Sequence, residues 1–139
     1  MITSAGALVD ALKVIGAERI VVVAPYMQPL TDLVVDYIRN EGHTVVDSRA
    51  LQIPDNLEVG RHDAQRLPGI VSQLDYANAD AIVLSACVQM PSLPVIAKVE
   101  AMTRKPVITA AVATTYAMLK ALDLEPVVPG AGALLSGAY

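Results

Sequence analysis

Ala81-Ile-Val-Leu-Ser-Ala-Cys87-Val-Gln-Met-Pro91-Ser92-Leu93 is the stretch that decides the fold. Apolar and small residues run unbroken into the single cysteine, a proline follows, and an amphipathic run starts behind it. A short continuous apolar run bounded by turn residues suits a parallel strand buried on both faces. The pattern predicts a strand over 81–85, a tight turn carrying the thiol, and a helix over 92–103. A side chain at such a strand-to-helix turn meets unpaired backbone N–H groups and the positive end of a helix dipole. Both favour a thiolate and bind anions. A lone cysteine is equally at home as a small core residue, so on the residues alone both readings of Cys87 stand.

The same alternation extends outward in both directions. On the N-terminal side, Thr3 or Ser4 can cap a helix with Leu8, Leu12 and Ile15 on its apolar face, stopping near Gly16. Ile20-Val-Val-Val-Ala24 reads as a buried strand, and Pro25-Tyr26-Met27-Gln28-Pro29 as the turn at its end. A helix follows with Leu30, Leu33, Val34, Tyr37 and Ile38 at helical spacing and Gly42 as its stop. His43-Thr-Val-Val-Asp47 is a second strand, residues 48–60 a loop, and residues 61–79 mostly helix. On the C-terminal side, Pro106-Val-Ile-Thr109 is a short fourth strand, Ala110 to Leu122 a helix, and Asp123 to Tyr139 an apolar tail. Strands alternating with helices imply right-handed βαβ units and a parallel sheet, so the fold class is α/β. Ligands in such sheets bind at the carboxyl ends of the strands. The loops that leave those ends carry Tyr26, Asn56 and Cys87. No strand precedes the first helix, and the sequence indicates no surface for the tail. Both features suggest a fold that expects another lobe or subunit.

The chain has 139 residues, enough for one domain with a sizeable core. Its 54% hydrophobic content comes from Ala, Val, Leu and Ile, with no Trp or Phe. No run approaches the ~18 uninterrupted apolar residues of a membrane span. The start, Met-Ile-Thr-Ser-Ala-Gly, lacks a basic region, which predicts no signal peptide. One cysteine excludes an internal disulfide and suits a reducing, cytoplasmic setting. A net charge of −4 without a basic cluster argues against nucleic acid as a partner.

The candidate residues have modest chemistry of their own. Tyr26 is either a surface turn tyrosine or a phenol that hydrogen-bonds an anionic ligand. Asn56 is either an Asx-turn residue or an amide donor to a carboxylate. His43 lies at the amino end of its strand, away from the thiol, and His62 reads as a solvated helix-start residue. One cysteine and two separated histidines make no zinc site. Gly130-Ala-Gly132 looks like a fragment of a phosphate loop, but no helix of useful length follows.

Leu84-Ser-Ala-Cys87-Val-Gln-Met-Pro-Ser-Leu93 resembles the second half of a maleate cis-trans isomerase. That family belongs to the aspartate/glutamate racemase superfamily, with arylmalonate decarboxylases and hydantoin racemases. The resemblance covers essentially the whole chain, including Thr3-Ser-Ala-Gly-Ala-Leu-Val9, Ala24-Pro-Tyr26-Met, Ile53-Pro-Asp-Asn56-Leu, Gly60-Arg61, Ala113-Thr-Thr-Tyr116 and Pro129-Gly-Ala-Gly-Ala-Leu-Leu135. It implies a flavodoxin-like lobe over residues 1–122 with strand order 2-1-3-4, one of two pseudo-symmetric lobes. The tail, residues 123–139, would pack on the other lobe or on a subunit. It further implies Cys87 as the catalytic thiol, and Tyr26, Asn56 and the turn at Val88 as substrate contacts. The substrate would be a small dicarboxylate, with no cofactor and no metal. Only one of the two family thiols is in this chain, so the resemblance implies a homo-oligomer or a missing first lobe. Its alternatives are another racemase or decarboxylase of the superfamily, or a non-catalytic carboxylate-binding half-domain.

Overall fold

Five consecutive apolar residues, Ile20 to Ala24, form the strand around which the sheet is built. The computed structural model describes residues 3–53, 61, 64–85 and 92–137. In it β1 (Arg19–Ala24), β2 (Thr44–Ala50), β3 (Ala81–Ser85) and β4 (Val107–Thr109) pair in parallel in the order β2-β1-β3-β4. This is the order the resemblance implies. Ile20–Ala24 and Ala81–Leu84 are wholly buried, as strands covered by helices on both faces must be. At the amino edge of the sheet, one oxygen of Asp80 accepts N–H bonds from Glu18 and Arg19, both at 3.0 Å.

Helix α1 (Ser4–Val14) is capped by Thr3, whose Oγ1 accepts from Gly6 N at 3.0 Å. It buries Leu8 and Leu12 and lies along the helix that follows β4, so its face is covered without a preceding strand. Helix α2 (Gln28–Asn40) turns differently from the predicted face. Ile38 is buried as expected, but its companions are Thr31 and Val35, while Leu30, Leu33 and Tyr37 are 46%, 64% and 40% exposed. A buried threonine hydroxyl needs a partner, and Thr31 Oγ1 reaches the Tyr26 carbonyl at 3.4 Å, which holds that face inward.

Strand β2 runs past Asp47, the predicted end, to Ala50. Ser48, Arg49 and Ala50 pair with Val22, Val23 and Ala24. Ladder bonds on an edge strand need no apolar side chains, so hydropathy does not mark this extension. Within 61–79, predicted to be mostly helix, the described residues are helical at Arg61, in α3 (Leu67–Ser72) and in two 3₁₀ turns, Ala64–Arg66 and Tyr76–Asn78. Side-chain bonds to the backbone fix the stretch. Ser72 Oγ donates to Gly69 O at 2.6 Å, and Asp75 N donates to Asp47 Oδ2 at 3.0 Å. Behind the Cys87 segment, a 3₁₀ turn (Leu93–Val95) leads into α4 (Ile96–Thr103). Crossovers to β3 and β4 run opposite to the crossover to β2. Right-handedness therefore puts α3 and α4 on the face away from α2.

Helix α5 (Ala110–Ala121) holds Thr114 and Thr115, which back-bond to Ala110 O and Ala111 O at 2.7 and 2.9 Å. The tail then finds a surface on its own lobe. Ala131, Leu134 and Leu135 are buried against α5 and β4. Glu100 Oε2 accepts from both Ala133 N (2.8 Å) and Val107 N (3.0 Å), tying tail, α4 and β4 together. After Gly130-Ala-Gly132 comes only a 3₁₀ turn, Ala133–Leu135. Leu122, Leu124 and Val127 of the same region stay exposed. Among the described residues no helix is long and apolar enough to cross a membrane.

Candidate active site at the carboxyl edge of the sheet

Of the candidate residues, the structure describes Tyr26, at the carboxyl edge where β1, β2 and β3 end. β1 ends at Ala24, and Pro25 and Tyr26 make the turn into α2. Pro25 is buried and Tyr26 half-buried, its ring packed on the core. The end of β2 is stitched to this turn. Leu51 N donates to Ala24 O at 2.9 Å, Gln52 N to Tyr26 O at 3.0 Å and Ile53 N to Pro25 O at 2.9 Å. The segment that continues towards Asn56 therefore leaves from beside Tyr26. β3 ends at Ser85, paired with Thr109 of β4 and two residues short of Cys87. Asn56, Cys87 and Val88 lie outside the described residues, as does His62.

The neighbouring strand end offers anion-binding chemistry. Thr109 is extended, almost fully buried, and caps α5: its Oγ1 accepts from Val112 N at 3.0 Å. The N-terminus of a 12-residue helix thus points its unpaired N–H groups and positive dipole end to this edge. Beside β2, Leu51, Ile53, Arg66, Gly69, Ile70 and Gln73 line a groove of about 450 Å³.

His43 belongs to the other end, as its sequence position predicts. It precedes β2, is buried, and its Nδ1 lies 2.9 Å from Ala17 O. It lies at the end of the sheet opposite Tyr26 and Thr109. Among the described residues no group of three His, Cys, Asp or Glu side chains is placed to hold a metal ion.

Sequence reasoning missed two residues of this edge. Thr31 sits in a helix whose apolar neighbours draw attention to the wrong face. Gln52 has a left-handed backbone (φ +55°), and nothing about a glutamine in a polar stretch signals it. For Thr31, its place one turn after the Pro25-Tyr26 turn was an available signal.

The family model for arylmalonate decarboxylase matches residues 1–135. A maleate isomerase of Pseudomonas putida is 72% identical over the whole chain, which covers 56% of that protein. The crystal structure of a maleate isomerase from Pseudomonas putida superposes with a TM-score of 0.97 at 65% identity, covering 99% of this chain and 56% of that one. A cysteine-to-serine variant of the Nocardia farcinica maleate cis-trans isomerase, with a covalently bound succinylcysteine intermediate, gives a TM-score of 0.94 at 45% identity, covering 98% and 56%. The chain spans about half the length of the relatives it matches. With a match from residue 1 to 135 and the parallel β2-β1-β3-β4 sheet, the chain belongs to the arylmalonate decarboxylase family and resembles the maleate isomerases over about half their length.

Proposed function

We propose that this chain forms one lobe of a cofactor-independent maleate cis-trans isomerase, with Cys87 as its reacting thiol. The 72% identity to a maleate isomerase over all 139 residues carries the proposal. The succinylcysteine intermediate of the Nocardia farcinica relative supports a covalent thiol route. The thiolate sulfur adds to one alkene carbon of maleate as the π bond breaks. The neighbouring carbon takes a proton from an opposing acid. The C2–C3 bond, now single, rotates. Return of the proton and departure of the thiolate give fumarate. Atoms and oxidation state are unchanged, so the steps call for a nucleophile and an acid.

In this scheme the backbone N–H groups at Cys87 and Val88 bind one carboxylate, while the Tyr26 phenol and Asn56 amide hold the substrate. The helix end at Thr109 adds positive potential at the same edge. Cys87 is one of two opposing thiols, one adding to the alkene and the other handling the proton, and the second comes from a companion lobe or a second subunit. The exposed apolar side chains of α2 and its N-cap (Met27, Leu30, Leu33, Tyr37) and of the segment after α5 (Leu122, Leu124, Val127) are the surfaces offered to it. Residues 123–139 contribute to that contact. A free thiol fits the cytoplasm.

The test is the conversion of maleate to fumarate by the assembly containing this chain, followed by proton NMR. Cys87→Ala is expected to abolish turnover. Undiminished conversion by that variant would rule the assignment out. Parallel assays with aspartate, hydantoins and arylmalonates separate the isomerase from other activities of the superfamily. The presence of a single thiol favours one further reading, a carboxylate-binding half without turnover. Iodoacetamide labelling of Cys87 no faster than a model thiol at neutral pH would support it.

A further inference from the structure

The three amides at the end of β2 do not meet the three carbonyls of the β1 turn in step. Donors advance as Leu51, Gln52, Ile53, whereas the acceptors run Ala24, Tyr26, Pro25. The crossing is made at Gln52, whose φ of +55° lies in the left-handed region. Few side chains adopt that region, and β-branched ones least of all. Pro25 has no N–H of its own to brace the turn. The bonds from Gln52 and Ile53 therefore hold the peptide units on both sides of the Tyr26 Cα, and the Thr31 hydroxyl adds a third bond at 3.4 Å. Two fixed peptide planes fix the direction of the Cα–Cβ bond between them.

We infer that Gln52 is a positioning residue for Tyr26. Its left-handed backbone, not its exposed side chain, sets where the phenol points. The functional consequence rests on the proposed isomerase reading, in which Tyr26 contacts the substrate. Misdirected by a fraction of a side-chain length, the phenol loses its hydrogen bond to the carboxylate.

Two measurements test this. The first is hydrogen exchange of residues 51–53 in this chain. Gln52→Gly and Gln52→Asn tolerate left-handed backbone and are expected to exchange within about 2-fold of wild type, whereas Gln52→Val is expected to exchange about 10-fold faster. Wild-type exchange in Gln52→Val overturns the inference, whether or not the protein turns over maleate. The second is a double-mutant cycle in the maleate-converting assembly. Gln52→Val is expected to lower kcat/KM about 10-fold, Gln52→Gly less than about 3-fold, and Gln52→Val in a Tyr26→Phe background less than about 2-fold further. Equal factors in both backgrounds, or a Gln52→Gly variant as poor as Gln52→Val, overturn it. If Gln52→Val does not fold, Gln52→Ala takes its place with a smaller expected effect of the same sign. Absence of turnover in the wild-type assembly refutes the isomerase reading and leaves the exchange measurement to decide on Gln52.

Discussion

Asp80 stands in solvent, yet one of its oxygens accepts two backbone N–H bonds, from Glu18 and Arg19, at the entrance to β1. Those bonds, the one to Arg19 first, hold its carboxyl below the usual carboxylate range. The folded-state value lies below the unfolded one, so its stabilisation is complete above the unfolded value, near pH 4, and is lost as pH falls through the folded value. Asp80→Asn is expected to flatten that acid loss in urea unfolding curves recorded between neutral and strongly acidic pH. At neutral pH the cost stays at or below about 1 kcal/mol, because water can replace an exposed acceptor. An unchanged acid limb would show that other carboxylates dominate it. At this scale the sequence is legible where a residue type is rare in its place. The only cysteine, in a stretch that reads as a strand-to-helix turn, and a tyrosine between turn residues both stand out in the sequence. Gln52 does not, because left-handed backbone at a glutamine is imposed by the bonds of its neighbours to a distant turn.

Among the elements, the buried strands are the most legible. Ile20–Ala24 and Ala81–Leu84 are continuous apolar runs because helices cover both of their faces. The second half of β2 and the face of α2 are not legible, since each is set by partners distant in sequence or by one buried hydroxyl. The tail is another such case. Its docking depends on Glu100, a residue that in sequence is simply one charge on a helix. Removing that carboxylate leaves the amides of Ala133 and Val107 without their acceptor, and Glu100→Ala is expected to cost about 1–3 kcal/mol. Glu100→Gln retains an acceptor oxygen and is expected to cost less. Thermal unfolding of the two variants, with hydrogen exchange over 131–136, checks the order. Gly132→Ala tests the same joint sterically. At φ +93° an added methyl would meet Ile96 Cγ2 at 2.7 Å, and a loss of about 1–3 kcal/mol follows from overpacking. Wild-type stability in that variant would mean the tail is not seated as described.

On the scale of the whole molecule, a well-filled core coexists with large apolar side chains left in solvent, Leu33 at 64% and Leu122 at 65%. Leu33→Glu buries and unburies nothing within this lobe, so its unfolding free energy is expected to stay within about 0.5 kcal/mol of wild type. The same variant is expected to weaken association with the companion lobe or subunit, read by light scattering. A large loss of stability would place Leu33 in the lobe's own packing. Strand order carries a further consequence, for synthesis. Of the four strands, β1 comes earliest in the chain, and it lies inside the sheet. It gains β2 early, with Ile20 opposite Val45, but its other edge waits for β3, where Ile20 meets Ala81. At about 5–20 residues per second, that edge stays open for several seconds while the ribosome supplies the rest. An apolar strand with one free edge is a template for wrong pairing, so the nascent chain is most exposed to aggregation in the interval between β2 and β3.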